Sequence, residues 1–233
     1  LNIILDGSLS HIPFEALLTE ELSPNAPKDY KELPYLLNAY SIEYNYSASL
    51  WQENLQRGKD KTNNTSILAM AASYGEKALA ESSSRVGDLA KLREHLNDLP
   101  AARKEVEGLE ELFEGLFLYG KDANEATLKE KCASYGIIHL AMHGLLDKKH
   151  PILSSLAFTE DGAEGEDNFL QAYEISNLNL QATNLVVLSA CETGYGKFEK
   201  GEGVMSLARS FMYAGVPSML VSLWQVNDAS TSV

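Results

Sequence analysis

The stretch Ile137–Gly144 reads IIHLAMHG, and a second stretch, Leu185–Gly194, reads LVVLSACETG. Each is a short, mostly apolar run that ends at one reactive side chain, His143 in the first and Cys191 in the second. Runs of this length that are rich in Val, Ile and Leu and bounded by Gly are typical of strands buried on both faces. The two stretches therefore predict a parallel sheet covered by helices, which is an α/β fold.

The two reactive residues are expected to lie close together if their strands are neighbours. Neighbouring strands are about 4.8 Å apart, and open α/β sheets bind ligands at the edge where their strands end. An imidazole beside a thiol favours the thiolate or protonates a leaving amine, so His143 and Cys191 are a candidate catalytic pair. The glycine after each residue lets the backbone turn sharply, and the amides of Gly144 and Cys191 are candidate oxyanion donors.

Each residue also has a simpler interpretation. A lone Cys after an apolar strand is more often a small buried hydrophobic residue, and a lone His is more often a hydrogen-bonded structural residue. The occurrence of both, each with a following glycine, favours the catalytic interpretation. His139 lies inside its apolar run and is predicted to be a core histidine with a hydrogen-bond partner. The other histidines are predicted to lie on the surface: His11, His95 and His150.

The rest of the chain alternates strands and helices, an order that predicts right-handed parallel crossovers. Predicted strands cover Leu1–Leu5, Tyr40–Tyr46, Ser66–Ala72, Leu116–Tyr119, Leu156–Phe158 and Ser218–Leu223. Predicted helices cover Ser47–Gln56, Ala101–Leu112, Asn124–Ser134 and Val204–Tyr213. In the second of these helices a stripe at helical spacing is predicted to face the core: Val106, Leu109, Leu112 and Phe113.

Two loops flank the candidate pair. Thr159–Asn168 is acidic and contains glycine, so we expect it to be mobile. Glu192–Gly203 carries four glycines before a helix, but neither the P-loop spacing nor the dinucleotide-binding spacing is met, and its glutamates would repel a phosphate. This second loop is interpreted as one that gates the substrate, and a plain flexible connector is the alternative.

The composition limits the function and the compartment. The chain has 233 residues, a length typical of one α/β domain. Its 33 acidic and 19 basic residues give a net charge of −14, so we expect neither nucleic acid nor an anionic membrane as a direct partner. The two cysteines, Cys132 and Cys191, lack metal-ligand spacing. We therefore expect no disulfide framework, no metal, no cofactor and a cytoplasmic location.

The text from Leu185, LVVLSACETGYGKFEKGEGVMSLARSFMYAGVPSMLVSLWQVNDAST, closely resembles the signature of the CHAT domain. This is a caspase-like peptidase domain that is often found behind tetratricopeptide repeats in bacteria. The resemblance extends back through Ile137–Gly144, Leu118–Cys132 and Tyr40–Trp51 to the opening LNIILDGSLSHIPFEALL. It therefore covers nearly the whole chain.

The resemblance implies a caspase-like three-layer α/β sandwich with a mostly parallel central sheet and helices on both faces. By motif match it implies a catalytic dyad of His143 and Cys191. It also implies a single CHAT domain over residues 1–233, with an N-terminal part at 1–56 and a core carrying the dyad at 66–233. Because the family's domain normally continues past the VND block, the chain is expected to be a fragment truncated at both ends. The implied partners are a protein substrate and a regulatory region such as tetratricopeptide repeats.

The resemblance also bears on the substrate pocket. In several relatives that cleave after Arg or Lys, an acidic residue two places before the catalytic Cys lines the primary pocket, and here that place is Ser189. A hydroxyl cannot offset a buried guanidinium, so we expect an uncharged or apolar side chain before the cut. Asp228 could supply a charge from another direction. The candidate pocket residues are Ser189, Glu192, Leu223, Trp224, Gln225 and Asp228.

The sequence thus predicts a cysteine endopeptidase that hydrolyses peptide bonds of a protein substrate. The alternative is a catalytically silent CHAT module that acts as a protein-interaction platform. The presence of His143, Cys191 and the glycine after each counts against that alternative.

Overall fold

The computed structural model describes residues 1–4, 9, 12–22, 29–60, 64–74, 96–147, 149–160, 165–189 and 202–221. The chain forms two compact units, Leu1–Lys59 and Asp60–Val233. In the first unit, strand β1 (Asn2–Ile4) pairs in parallel with strand β2 (Glu43–Asn45). Helix α1 (Leu36–Ala39) precedes β2, and helix α2 (Ala48–Asp60) follows it. Both strands and the longer helix were predicted, although the strands are shorter and the helix is longer than expected.

The second unit is built on a parallel sheet of five described strands in the order β10-β9-β5-β3-β4. Its strands are β3 (Ile67–Ala71), β4 (Gly115–Tyr119), β5 (Ile137–Ala141), β9 (Leu185–Leu188) and β10 (Ser218–Val221). Every residue of β3 is buried, as are four of the five residues of β5. This burial on both faces explains why the central strands are apolar runs instead of alternating patterns.

Helices cover both faces of this sheet. Helix α3 (Pro100–Glu110) packs Ala102 and Val106 against the odd-numbered residues of β3, Ile67 to Ala71. The even-numbered residues, Leu68 and Met70, belong to the core on the other face, together with side chains of α4 (Glu125–Lys131) and α6 (Glu202–Tyr213). The predicted three-layer α/β fold is therefore confirmed. No described helix combines the length and the apolar character that a membrane crossing requires.

The predicted core stripe of α3 is wrong at its C-terminal end. Val106 is fully buried and Leu109 packs against the core, but Leu112 is 75% exposed and Phe113 is also exposed. The helix ends at Glu110, so the helical spacing on which the prediction rested does not continue to these two residues. They belong to the turn that leads into β4.

A second, antiparallel sheet has the order β6-β7-β8, and the sequence predicted only its middle strand. Its strands are β6 (His143–Leu145), β7 (Ser155–Ala157) and β8 (Phe169–Gln171), and helix α5 (Ala172–Ile175) follows directly. Strand β6 begins two residues after β5 ends, and β8 follows the acidic segment Thr159–Asn168 directly. Neither strand is therefore a separate apolar run in the sequence, which explains why both were missed.

The start of the central sheet is aligned at Gly136. Its N–H donates to the carbonyl of Ser66, and its own carbonyl accepts from the amide of Asn184 at 2.7 Å. A Cβ at this position would lie 1.8 Å from the carbonyl oxygen of Asn64, so only glycine permits the close approach. This contact brings β3, β5 and β9 into register at their N-terminal ends, and their C-terminal ends therefore meet at one edge.

Candidate functional site

The two strands that precede the predicted dyad are hydrogen-bonded neighbours, which is the condition on which the pairing of His143 with Cys191 was expected. Strands β5 and β9 pair in parallel, with Ile137 opposite Leu185 and Leu140 opposite Leu188. The pairing continues one residue further, because the amide of Ser189 donates to the carbonyl of Leu140 at 3.0 Å. The C-terminal ends of both strands thus lie at the same edge of the sheet.

His143 lies just beyond this edge, and its side chain is buried. It begins β6, so it was correctly placed after the end of β5, but it is also part of the second sheet. Its Nε2 lies 2.7 Å from the backbone carbonyl oxygen of Asn97. A carbonyl oxygen can only accept a hydrogen bond, so Nε2 carries the proton and Nδ1 is the basic nitrogen of the neutral ring.

Tyr74 contacts both the backbone and the ring of His143. The phenolic oxygen of Tyr74 accepts the N–H of His143 at 2.9 Å, and its O–H donates to the carbonyl of Ala157 at 2.7 Å. The centroids of the phenol and imidazole rings are 4.6 Å apart, with the ring planes inclined by 54°. Sequence reasoning singled out neither Tyr74 nor Asn97. Tyr74 follows a predicted strand closely, but the role of Asn97 is carried by its backbone and leaves no signal in the residue type.

Ser189 is part of a polar cluster under the end of β9. Its hydroxyl donates to Oε2 of Glu105 at 2.8 Å, and Oε1 of the same carboxylate lies 3.0 Å from Nε2 of His139. His139 is 5% exposed, so its predicted place in the core is confirmed, but its Nε2 contacts the carboxylate without the geometry of the predicted hydrogen bond. The carboxylate next to Ser189 was not predicted. It comes from α3, which is far from β9 in the sequence.

Gly144 is buried inside β6 and pairs with Leu156 of β7. The expectation that this glycine allows a sharp turn is therefore wrong, because the backbone at Gly144 is an extended strand. Cys191 lies outside the described residues, and so do Gly194 and most of the loop Glu192–Gly203. The other candidate pocket residues outside the described part of the chain are Glu192, Leu223, Trp224, Gln225 and Asp228.

The family is decided by comparison with family models. The model of the CHAT domain matches residues 1–233, which is the whole chain. The chain belongs to the CHAT domain family. The CHAT domain has a caspase-like fold, to which the mostly parallel sheet with helices on both faces corresponds. No curated protein matches the chain.

The other cysteine of this CHAT domain, Cys132, is unsuited to act as a nucleophile. It ends α4, where its side chain is only 2% exposed. Burial raises the pKa of the Cys132 thiol above its ordinary value, although the backbone amides of Cys132 and Ala133 lower it in part. A buried thiol with a raised pKa is mostly protonated at neutral pH and reacts slowly.

One group of carboxylates among the described residues of the CHAT domain has the spacing of a metal site. Side-chain oxygens of Glu125, Glu166 and Glu174 lie within 4.8 Å of one another. However, Nζ of Lys129 lies 2.7 to 3.0 Å from an oxygen of each of them. The ammonium group therefore takes the place that a cation would need, and the cluster is an ion-pair network.

This network holds the C-terminal end of the acidic segment Thr159–Asn168. Glu166 belongs to that segment, and its carboxylate binds Lys129 on α4. At the other end, the hydroxyl of Thr159 accepts the amide of Ser73 at 2.8 Å, and both Thr159 and Asn168 are buried. The described ends of the segment are thus anchored, which its composition did not suggest, while residues 161–164 lie outside the described part of the chain.

Proposed function

We propose that this CHAT domain is a cysteine endopeptidase in which His143 takes the proton of the Cys191 thiol, the thiolate attacks a peptide carbonyl of a protein substrate, and His143 then gives that proton to the leaving amine. An acyl-enzyme forms when the C–N bond breaks, and water then hydrolyses it. Neither a metal nor a cofactor takes part in this reaction. The observation that carries the proposal is the hydrogen bond between Nε2 of His143 and the carbonyl of Asn97.

That hydrogen bond prepares His143 for proton transfer. With Nε2 engaged as a donor, the ring has a single nitrogen, Nδ1, at which a proton can be accepted and delivered. A buried histidine held in one tautomer by an acceptor on its far nitrogen is the usual arrangement of a catalytic imidazole.

The sequence positions of the two dyad residues match the strand register. His143 follows Leu140 by three residues, and Cys191 follows Leu188 by three residues. Leu140 and Leu188 are paired across β5 and β9. Equal chain lengths beyond a paired position support the proposal that the thiol and the imidazole meet at this edge of the sheet.

The direction of the Gly144 amide supports its role as an oxyanion donor. Along an antiparallel strand, successive N–H groups point to opposite edges. The N–H of His143 points toward β7, where it reaches the hydroxyl of Tyr74, so the N–H of Gly144 points to the other edge of β6. No described strand pairs with that edge. The Gly144 amide, together with that of Cys191, is therefore proposed to stabilise the oxyanion.

The proposal extends to the setting of the enzyme. The resemblance to CHAT domains that follow tetratricopeptide repeats supports regulation by such repeats or by another region of the same or a partner chain. The two cysteines without disulfide or metal spacing support a reducing cytoplasm as the compartment, and the resemblance to bacterial CHAT domains supports a bacterial one. The resemblance also supports a protein substrate, and the net negative charge supports no direct contact with nucleic acid or an anionic membrane.

The test is a digest of a proteome-derived peptide library in which new N-termini are labelled and sequenced. The unaltered protein is compared with Cys191→Ala and His143→Ala, with Cys132→Ala as the control because that thiol is buried. New termini should appear with the unaltered protein and with Cys132→Ala, and should fall to background in the other two variants. A folded, unaltered protein that produces none under conditions that include its repeat region would favour the interaction-platform alternative.

A further inference from the structure

The two residues before Tyr74 are fixed by hydrogen bonds of their backbone amides. The amide of Ala72 donates to the carbonyl of Ala141 at the end of β5, and the amide of Ser73 donates to the hydroxyl of Thr159. The segment that follows β3 is therefore hydrogen-bonded to the end of β5 and to Thr159, which lies just after β7. These bonds fix the position from which the Tyr74 side chain extends.

The Tyr74 hydroxyl is inserted into the β6–β7 ladder. His143 and Ala157 face each other in the register of these two strands, and in a regular antiparallel ladder every second facing pair exchanges direct backbone hydrogen bonds. Here the N–H of His143 donates to the phenolic oxygen at 2.9 Å, and the phenolic O–H donates to the carbonyl of Ala157 at 2.7 Å. The backbone position of His143 thus depends on a side-chain hydroxyl from the segment that follows β3.

Tyr74 also contacts the other parts of the His143 environment. Its ring lies against the imidazole with centroids 4.6 Å apart. Its amide donates to Oδ1 of Asp98 at 3.3 Å, next to Asn97, whose carbonyl binds Nε2 of His143. One residue therefore contacts the backbone of His143, the face of its ring, and the segment that selects its tautomer.

We propose that Tyr74 is a positioning residue for His143, which it holds by its hydroxyl in the ladder and by its ring against the imidazole. The catalytic importance of this role rests on the proposed function, whereas the positioning itself does not. The substitution Tyr74→Phe separates the two contacts, because it removes the hydroxyl and keeps the aromatic ring. Tyr119→Phe is the matched control, since it also removes a hydroxyl hydrogen bond, to Glu110, and the described contacts of Tyr119 do not include His143.

The first readout is the proton NMR spectrum of the imidazole of His143 in the full chain, assigned with His143→Gln. A ring stacked on Tyr74 has ring-current-shifted signals and cross-relaxes with the Tyr74 ring protons. Tyr74→Phe keeps the ring but loses the hydroxyl that fixes the His143 backbone beside it, so the ring-current shifts and the cross-relaxation should weaken, while Tyr119→Phe leaves them unchanged. The proposal is overturned if folded Tyr74→Phe keeps the His143 signals of the unaltered protein, or if that protein shows no such cross-relaxation.

The second readout is the division of the kinetic effect between kcat and KM on a peptide taken from the library digest. Loss of orientation should lower kcat about tenfold and change KM less than about twofold in Tyr74→Phe. A kcat equal to that of Tyr119→Phe would contradict the catalytic part of the proposal. If the unaltered protein cleaves no peptide, the proposed function fails, and the NMR readout still decides whether Tyr74 positions His143.

Discussion

Nε2 of His143 lies 2.7 Å from the carbonyl oxygen of Asn97. The bond assigns the proton of the neutral ring to Nε2 and leaves Nδ1 as the nitrogen that can accept a proton. In many histidine-dependent sites a carboxylate performs this orienting role. Here a backbone carbonyl performs it, so no acidic side chain is needed beside His143, and the sequence accordingly shows no motif that supplies one.

Glu105 is expected to hold the end of β9 through Ser189 and His139. Glu105→Ala removes the acceptor of the Ser189 hydroxyl and the contact of a buried imidazole, and should destabilise the protein by about 1 to 3 kcal/mol. Glu105→Gln keeps one acceptor and should cost less. Both are measured by thermal unfolding against Glu107→Gln, an exposed position on the same helix. Equal melting temperatures for Glu105→Ala and Glu107→Gln would show that the cluster does not contribute to stability.

The buried carboxyl of Glu125 is expected to make stability depend on pH. Burial raises its pKa from the ordinary 4.5 to about 7, although Lys129 lowers it in part. Between pH 4.5 and pH 7 the folded protein binds the Glu125 proton more tightly than the unfolded chain does. The stability that this proton contributes is therefore fully present below about pH 4.5 and is lost as the pH rises through about 7. Glu125→Gln stays neutral throughout. The melting temperature of Glu125→Gln minus that of the unaltered protein should therefore increase as the pH is raised from about 5 to about 8, a range that includes the raised pKa.

The control for this prediction is Glu130→Gln on the same helix. Glu130 is exposed and pairs only with exposed Lys131 among its described contacts. Its difference in melting temperature should be small and should not change with pH. If the difference in melting temperature between Glu125→Gln and the unaltered protein is also independent of pH, Glu125 stays ionised in the folded protein across this range.

The middle of the central sheet could be predicted from the sequence because strands β3 and β5 are buried on both faces. Burial on both faces requires apolar residues at successive positions, and the runs at Ile67–Ala71 and Ile137–Ala141 show this directly. The neighbouring placement of β5 and β9 did not follow from these runs, because strand order depends on how the chain crosses over between strands. Strands β6 and β8 have three residues each, and their pairing with β7 depends on contacts across intervening loops.

The partners of the site residues could not be predicted for two different reasons. The acceptor of His143 is a backbone carbonyl, and every residue type carries one, so Asn97 left no mark in the sequence. Ser189 and Glu105 are 84 residues apart, and their hydrogen bond depends on how α3 packs on the sheet. Only a side chain with an unusual position in a local pattern, such as His143 after an apolar run, could be singled out.

The side chain before the cut is expected to be uncharged or apolar, although a carboxylate lies next to Ser189. Both oxygens of Glu105 are already in contact, one with the Ser189 hydroxyl and the other with His139, so this charge is not available to a guanidinium. The library digest measures the preference directly. A preference for Arg or Lys above about tenfold would contradict this account. Its loss in Glu105→Gln or in Asp228→Asn would identify the residue that supplies the charge.

The central claim is that His143 activates Cys191, and the alkylation rates of the two cysteines test it most directly. An ordinary thiol is about 3% thiolate at pH 7, and a thiol activated by an imidazole is mostly thiolate. With iodoacetamide at pH 7 and peptide mass spectrometry, Cys191 should react at least about tenfold faster than buried Cys132. In folded His143→Ala the rate at Cys191 should fall to that of an exposed, unactivated thiol, measured on the same cysteine in the urea-unfolded protein. The account is contradicted if Cys191 of the folded, unaltered protein is alkylated no faster than Cys191 in urea and if His143→Ala leaves this rate unchanged.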